Sequence, residues 1–185
     1  MKKILVLALL MSNSVTFAKS KELEVHSKSW KDGEAIASGH VFNGFGCSGK
    51  NISPEISWKN IPKEAKSVAL TIFDPDAPTG SGWWHWVVYN IPTKITSLAS
   101  GMGKSGVAKL DNGAIQGETD FGVPGYGGPC PPAGDKPHHY IITVHALNVE
   151  KLELPANAPA AMVSFYINNH SIAKASLTGV YLREK

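Results

Sequence analysis

The chain has 185 residues, 43% of them hydrophobic and 18% charged. That is enough apolar content for one packed domain and too little charge for a disordered chain. The formal net charge of +3, from 18 basic and 15 acidic residues, is a small excess and a faint pointer to a nucleic-acid or anionic-lipid partner.

In chain order, residues 1–18 read first as a secretory signal peptide. Met1-Lys2-Lys3 is a positive start, and the apolar run from Ile4 to Met11 is too short to span a bilayer. Thr16-Phe17-Ala18 puts small residues at −3 and −1 of a cut before Lys19. The alternative is a buried N-terminal helix. No later stretch is long and apolar enough to be transmembrane. The mature protein is then a single domain, residues 19–185, periplasmic or secreted, without stable membrane insertion. Loss of Lys2 and Lys3 turns 18 basic residues into 16, against 15 acidic ones. A general polyanion partner, nucleic acid included, loses its support.

Residues 23–27 alternate apolar and polar, as a half-buried strand does. Residues 67–73 and 84–91 form two further β-rich runs, each ended by a proline. Residues 101–137 hold ten glycines and five prolines, with Phe121 and Tyr126 among them. A connection that long is usually functional, and its prolines and aromatics predict a fixed, folded-back loop. Residues 140–147 and 178–182 read as strands. Residues 160–176 read as a helix, with Asn157 as N-cap and Pro159 in the first turn. Strands outnumber helices, so the fold class is mainly β.

The two cysteines, Cys47 and Cys130, are 83 positions apart. An even count in an exported protein reads as a disulfide, worth about 4 kcal/mol in the chain-entropy model. Metal ligation is the alternative, without the C-x-x-C spacing that would favour it.

Polar and aromatic side chains concentrate in two segments. One is Asp74-Pro-Asp-Ala-Pro78 followed, after a Gly/Ser turn, by Trp83-Trp-His-Trp86. The other runs from Gly125 through Cys130-Pro-Pro to Asp135-Lys-Pro-His-His-Tyr140. Strand periodicity puts Trp83, His85, Val87 and Tyr89 on one face, and Trp84, Trp86 and Val88 on the other. His138, Tyr140, Ile142 and Val144 share a face in the second strand. The economical arrangement sets His85 beside His138 and Tyr140, with Asp74 and Asp76 at the mouth. Imidazole N–H and phenol O–H groups are donors suited to an oxyanion. Taken singly, Asp-Pro-Asp is an ordinary turn and Trp84 and Trp86 are ordinary packing. His26 and His40 have no polar cluster around them and read as surface residues.

These segments closely resemble the signatures of the phosphatidylethanolamine-binding protein family, also called Raf-kinase-inhibitor-like. D-P-D-A-P at 74–78 with Trp84-His85 is similar to the first signature. The second, G-x-x-P-x-G-x-x-x-H-x-Y, is similar to the stretch from Cys130 to Tyr140. G-C-S-G-K-N-I-S-P at 46–54, G-S-G-W-W-H-W at 80–86 and G-Y-G-G-P-C-P-P at 125–132 resemble the bacterial YbhB/YbcL branch, and the signal peptide and cysteines resemble its exported YbcL-like members. The likeness extends from about Leu23 to Tyr181.

The resemblance implies a central antiparallel sheet, a smaller second sheet and a few peripheral helices, one near the C-terminus. It implies an anion pocket at one end of the sheet, built from Asp74, Asp76, Pro78, Trp83, His85, Pro132, His138 and Tyr140. Cis bonds are expected at Asp74-Pro75 and Pro131-Pro132. The implied ligands are phosphate, phospholipid head groups and phosphorylated side chains, with no cofactor. Relatives act as modulators of kinases or proteases; export would confine such a partner to the envelope, the medium or a host. A homodimer stays open. Cys130 stands where relatives commonly have glycine, consistent with a disulfide to Cys47 bracing the pocket loop. Arg183 is the only arginine, so the usual bidentate phosphate clamp is unavailable in the motifs. An anion would fall to His, Tyr, backbone N–H and Lys136, bound weakly and better with charged histidines. The runner-up function is an Asp/His-dependent hydrolase, which lacks a G-x-S-x-G elbow and an evident nucleophile. A metal site from Asp74, Asp76, His85 and His138 is a third reading, without a recognised spacing.

Overall fold

A computed structural model of the chain describes residues 21–155 and 157–185; the predicted signal peptide and its cleavage point lie outside them. In chain order the strands are β1 (Glu24–His26), β2 (Asn43–Gly44), β3 (Cys47–Ser48), β4 (Ile56–Lys59), β5 (Ser67–Asp74), β6 (Trp83–Pro92), β7 (Ser97–Leu98), β8 (Ile115–Gln116) and β9 (His138–Leu147). Helix α1 (Ala160–His170) and strand β10 (Ser171–Tyr181) follow. A five-stranded sheet has the order β10-β9-β5-β6-β8, a three-stranded sheet the order β1-β4-β7, and β2 and β3 form a short hairpin. Every strand pair is antiparallel. The fold is mainly β, with a central sheet, a smaller second sheet and a helix near the C-terminus, as expected; instead of a few peripheral helices, the described residues add only a 3-10 turn at Ser38–His40.

β5 lies in the middle of the large sheet and is covered on both faces, so its sequence is a near-continuous apolar run rather than an alternation. On one face Leu70, Ile72, Trp86, Val88, Ile142 and Val144 pack toward Ile56, Trp58 and Leu98 of the second sheet. On the other, Ala69, Val87 and Leu147 meet Ala160, Val163 and Ile167 of α1. Each large side chain so buried stabilises the fold by about 1.5–3 kcal/mol.

Simple alternation fails along β6. Ile72 pairs with Trp86 and Phe73 with Trp84, which leaves His85 as an extra residue in the strand. This bulge reverses the parity of the side chains. Trp86 and Val88 lie in the core between the sheets, whereas Trp84 packs on the α1 side with Val87 and Tyr89. Trp83 and His85 therefore sit on the side of Trp86 and Val88, not on that of Val87 and Tyr89. A second irregularity lies between the Val68 and Leu70 pairings. There Asn90 takes a left-handed φ of 57°, and its amide holds Leu152 through N–H and C=O.

The predicted helix over 160–176 ends at His170, and residues 171–176 belong to β10. Their Ala, Lys and Ser are permissive for either state, and pairing with β9 over its whole length decides for strand. The helix N-cap is Pro159, with no side-chain cap bond, rather than Asn157. The strand β4 that receives β1 was not foreseen. His40 is half-buried rather than a free surface residue: Nδ1 meets the Ile52 carbonyl at 2.7 Å and its ring stands edge-on to Trp30.

Residues 101–137 contain one short strand, β8, and are otherwise pinned by specific bonds. The buried Gln116 accepts from Trp86 Nε1–H at 2.6 Å and donates to the Val107 and Lys104 carbonyls. Cys47 and Cys130 form a disulfide with Cα atoms 6.0 Å apart, tying the β2–β3 hairpin to this loop. Beside it, Arg183 donates to the Gly46 and Phe45 carbonyls. The sole arginine is thus spent on a structural strap.

Removing the disulfide with Cys47→Ser and Cys130→Ser together should lower unfolding free energy by about 4 kcal/mol, read by urea titration with and without reductant. Burial pushes His85 and His145 down from 6.5 to about 4. Each then binds a proton more readily unfolded than folded, so stability is full above about pH 6.5 and falls as pH drops toward 4. Between pH 7.5 and 5 each should cost about 2 kcal/mol, and His145→Gln should flatten that fall.

Candidate functional site

β5 ends at Asp74 just where the chain must turn back to β6. Asp74 makes that turn itself: one carboxylate oxygen, Oδ1, accepts from the N–H groups of Asp76 (2.8 Å) and Ala77 (3.1 Å), an Asx turn. Its other oxygen, Oδ2, accepts from His138 Nδ1–H at 2.8 Å across the sheet. Both side chains are buried, Asp74 at 2% and His138 at 0% exposure. Asp74 thus lies at the floor of the site and not at its mouth. The remaining His138 nitrogen, Nε2, is 3.5 Å from Asp135 Oδ2. Asp135 is held below the usual carboxylate range by the Lys136 N–H and by His138.

His85, at the bulge of β6, is tied to the glycine-rich loop twice. Its Nδ1–H donates to the Gly127 carbonyl at 2.6 Å, and the Gly127 N–H donates to the His85 carbonyl at 2.9 Å. A carbonyl only accepts, so the proton sits on Nδ1 and the neutral ring leaves Nε2 as a bare acceptor. Burial dominates its acidity, outweighing the Gly127 bond and the charge of Asp74. His85 is therefore neutral at physiological pH. Glycine is required at 127 and 128: a Cβ at Gly127 would run into the Phe121 ring, and one at Gly128 into the His40 carbonyl. Asn51 fixes the same loop by donating to the Tyr126 carbonyl and accepting from the Gly128 N–H.

These elements enclose a cavity of about 200 Å³ at the end of the large sheet. Asp74, Pro78, Trp83, His85, Pro132, His138 and Tyr140 all line it. Asp76 does not. It turns outward, accepting from Lys136 Nζ (3.0 Å), the His139 N–H (3.0 Å) and His139 Nδ1 (2.7 Å). Burial pushes its carboxyl up, but those bonds outweigh it and bring it to about 2. The turn begun by Asp74 points the next-but-one side chain away from the cavity, so Asp76 locks the 76 and 136–139 segments together. Lys136, a candidate for holding an anion, is engaged outside by the same carboxylate.

Sequence reasoning missed the aromatic wall. Phe45, from the turn of the β2–β3 hairpin, and Phe121 line the cavity with nearly parallel rings 6.0 Å apart. Phe121 also meets Trp83 and His85 edge-on at 5.6 and 5.4 Å. The signal for Phe45 was its place between Gly44 and Gly46; its own φ is +52°. Cys130 and Pro131 complete the rim. The peptide bonds expected to be cis are trans, as are all those among the described residues; the Asx turn at Asp74 closes with a trans Asp74-Pro75 bond.

The wall carries two uncompensated donors. Trp83 Nε1 and Tyr140 Oη are buried without a hydrogen-bond partner. The Tyr140 hydroxyl is near enough to Asp74 to feel its charge but makes no bond of ordinary geometry with it. Burial, then that charge, pushes the phenol well above its ordinary range, so it stays a donor. The metal reading needs Asp76 to converge with Asp74, His85 and His138, and it does not. Among the described residues no group of three or more His, Cys, Asp or Glu side chains is arranged to hold a metal ion. A wider groove of about 590 Å³ lies at the opposite end of the sheet. Its ionisable residues, Lys66, Lys109, Glu150, Lys151 and Glu153, are all exposed.

The chain matches the family model described as phosphatidylethanolamine-binding protein over residues 26–182. It is 46% identical to the UPF0098 protein YbcL of Escherichia coli over 179 residues, covering 97% of this chain and 98% of YbcL. It is also 46% identical to E. coli YbhB over 159 residues, covering 86% and 99%. The crystal structure of E. coli YbcL, described as a new member of the mammalian PEBP family, superposes with a TM-score of 0.85 at 49% identity, covering 89% of this chain and all of that one. A PEBP homologue from Chlamydia trachomatis, CT736, gives 0.72 at 31% identity, covering 88% and 99%. The paired signatures, the sheet topology and these likenesses agree: the chain belongs to the phosphatidylethanolamine-binding protein family.

Proposed function

We propose that the protein is an exported, non-enzymatic module that binds a small phosphate-type anion, free or carried on a larger molecule, in the cavity between Asp74, His85 and Tyr140. The observation that carries this reading is the pair of buried, unpartnered donors, Trp83 Nε1–H and Tyr140 O–H. A buried donor without an acceptor costs about 1–3 kcal/mol, and a ligand oxygen at the cavity wall would repay it. Membership of the family supports the ligand class. The disulfide supports an oxidising compartment, in keeping with residues 1–18 read as a signal peptide. A target such as a kinase or protease would then be recognised through a phosphorylated side chain.

Binding is favoured over hydrolysis because, among the described residues, no hydroxyl or thiol nucleophile is free along the cavity. Of its lining residues, Thr79 donates its hydroxyl to the Gly82 carbonyl, Cys130 is held in the disulfide and burial makes the Tyr140 phenol too weak an acid to ionise. Turnover of phosphoesters, carboxylic esters or peptides should not exceed that of His85→Ala.

Tyr140→Phe tests the binding reading, because it should move affinity and stability in opposite directions. Phosphate affinity by calorimetry should fall about 10- to 100-fold, the worth of one hydrogen bond to a charged group. Thermal stability should hold or rise, since an unsatisfied buried hydroxyl is removed. Unchanged phosphate affinity would contradict the assignment.

A further inference from the structure

We infer that the cavity selects a ligand that is acceptor and donor at once, a singly protonated phosphate monoester, over a phosphodiester of the kind found in a lipid head group. The inference rests on the proposed anion site and adds the protonation state of what enters it. Three groups at the wall have unspent hydrogen-bonding capacity, and they are not alike. Trp83 Nε1–H and Tyr140 O–H offer protons. His85 offers a lone pair: its only ring proton is committed to the Gly127 carbonyl at 2.6 Å, and Nε2 has no partner among the described residues.

A fully ionised phosphate oxygen facing that lone pair would be repelled, whereas a P–O–H would donate to it. A diester has one negative charge but no O–H, so it can satisfy the two donors and must leave Nε2 unmet. The alternative for the protein, placing a second proton on His85, is opposed by its burial. The charged and titratable groups that face His85 are Asp74 on β5 and His138 and Tyr140 on β9; the loop contributes the Gly127 and Gly128 backbone and the Phe121 ring. Asp74 already holds His138, and no Lys or Arg lines the cavity. The balance of charge thus disfavours a dianion, and the pattern of donors favours an oxygen that still carries hydrogen.

The test uses the folded, oxidised protein and two soluble probes, O-phosphoethanolamine as monoester and glycerophosphoethanolamine as diester, with calorimetry at pH 5 and pH 8. A phosphate monoester loses its second proton near pH 6. Monoester affinity should therefore fall on the order of 100-fold from pH 5 to pH 8, while the diester binds more weakly at pH 5. The diester keeps a single negative charge over this range and serves as the control for the rest of the site. The ratio of the two affinities is therefore the quantity read, and it should fall on the order of 100-fold between pH 5 and pH 8. A diester that binds as tightly as the monoester at pH 5, or a ratio independent of pH, would overturn the inference and leave the anion site standing. Failure of both probes to bind at either pH would overturn the site and the inference together.

Discussion

The bond from His85 Nδ1–H to the Gly127 carbonyl is the constraint on which the cavity depends. It joins the bulge of β6 to the glycine-rich loop, and the return bond from Gly127 to the His85 carbonyl makes the junction two-sided. The loop that receives it is itself tightly packed: a Cβ at 127 would meet the Phe121 ring and one at 128 the His40 carbonyl. It also decides the chemistry of the imidazole. With its proton used on the loop and its ring buried, His85 cannot act as a waiting cation and presents a lone pair instead.

Around that fixed ring the other ionisable groups fall into two separate sets. Asp74 and His138 form a buried pair at the floor, with the part-exposed Asp135 beyond His138; Asp74 serves the turn with one oxygen and the histidine with the other. Asp76, Lys136 and His139 form a second set on the outside. The two are adjacent in sequence but divide between floor and surface, because Asp74 spends its Oδ1 on the N–H groups of the turn. The outer set holds the loops together; the inner set leaves donors and an acceptor unpaired at the wall. A folded protein tolerates such unpaired groups where a ligand completes them.

Much of this was legible in the sequence. β5 and β6 announced themselves through β-branched and aromatic runs ended by proline, β9 through its β-rich run over 140–147, and the Asp-Pro-Asp and His-x-Tyr motifs led to seven of the eight expected residues now found around one cavity. What was hidden depended on pairing rather than composition. A bulge is a property of two strands, so alternation along β6 alone could not show that His85 and Trp86 share a side. Residues 171–176 suit a helix by themselves and become strand only because β9 offers an edge. Phe45 reaches the wall from a hairpin outside both motifs, brought there by the disulfide and the Arg183 strap. Asp76 turns outward because of where Asp74 places its hydrogen bonds, which no periodicity records.

The chemistry of the cavity turns on the state of His85 in the free protein. Nitrogen-15 NMR of selectively labelled histidine reads it directly, since the two ring nitrogens report separately on which carries the proton. The expected result is a neutral ring, protonated at Nδ1 and bare at Nε2, that begins to titrate only as pH approaches about 4. A ring that carries its proton on Nε2, or that titrates near 6.5 as an exposed histidine does, would contradict it.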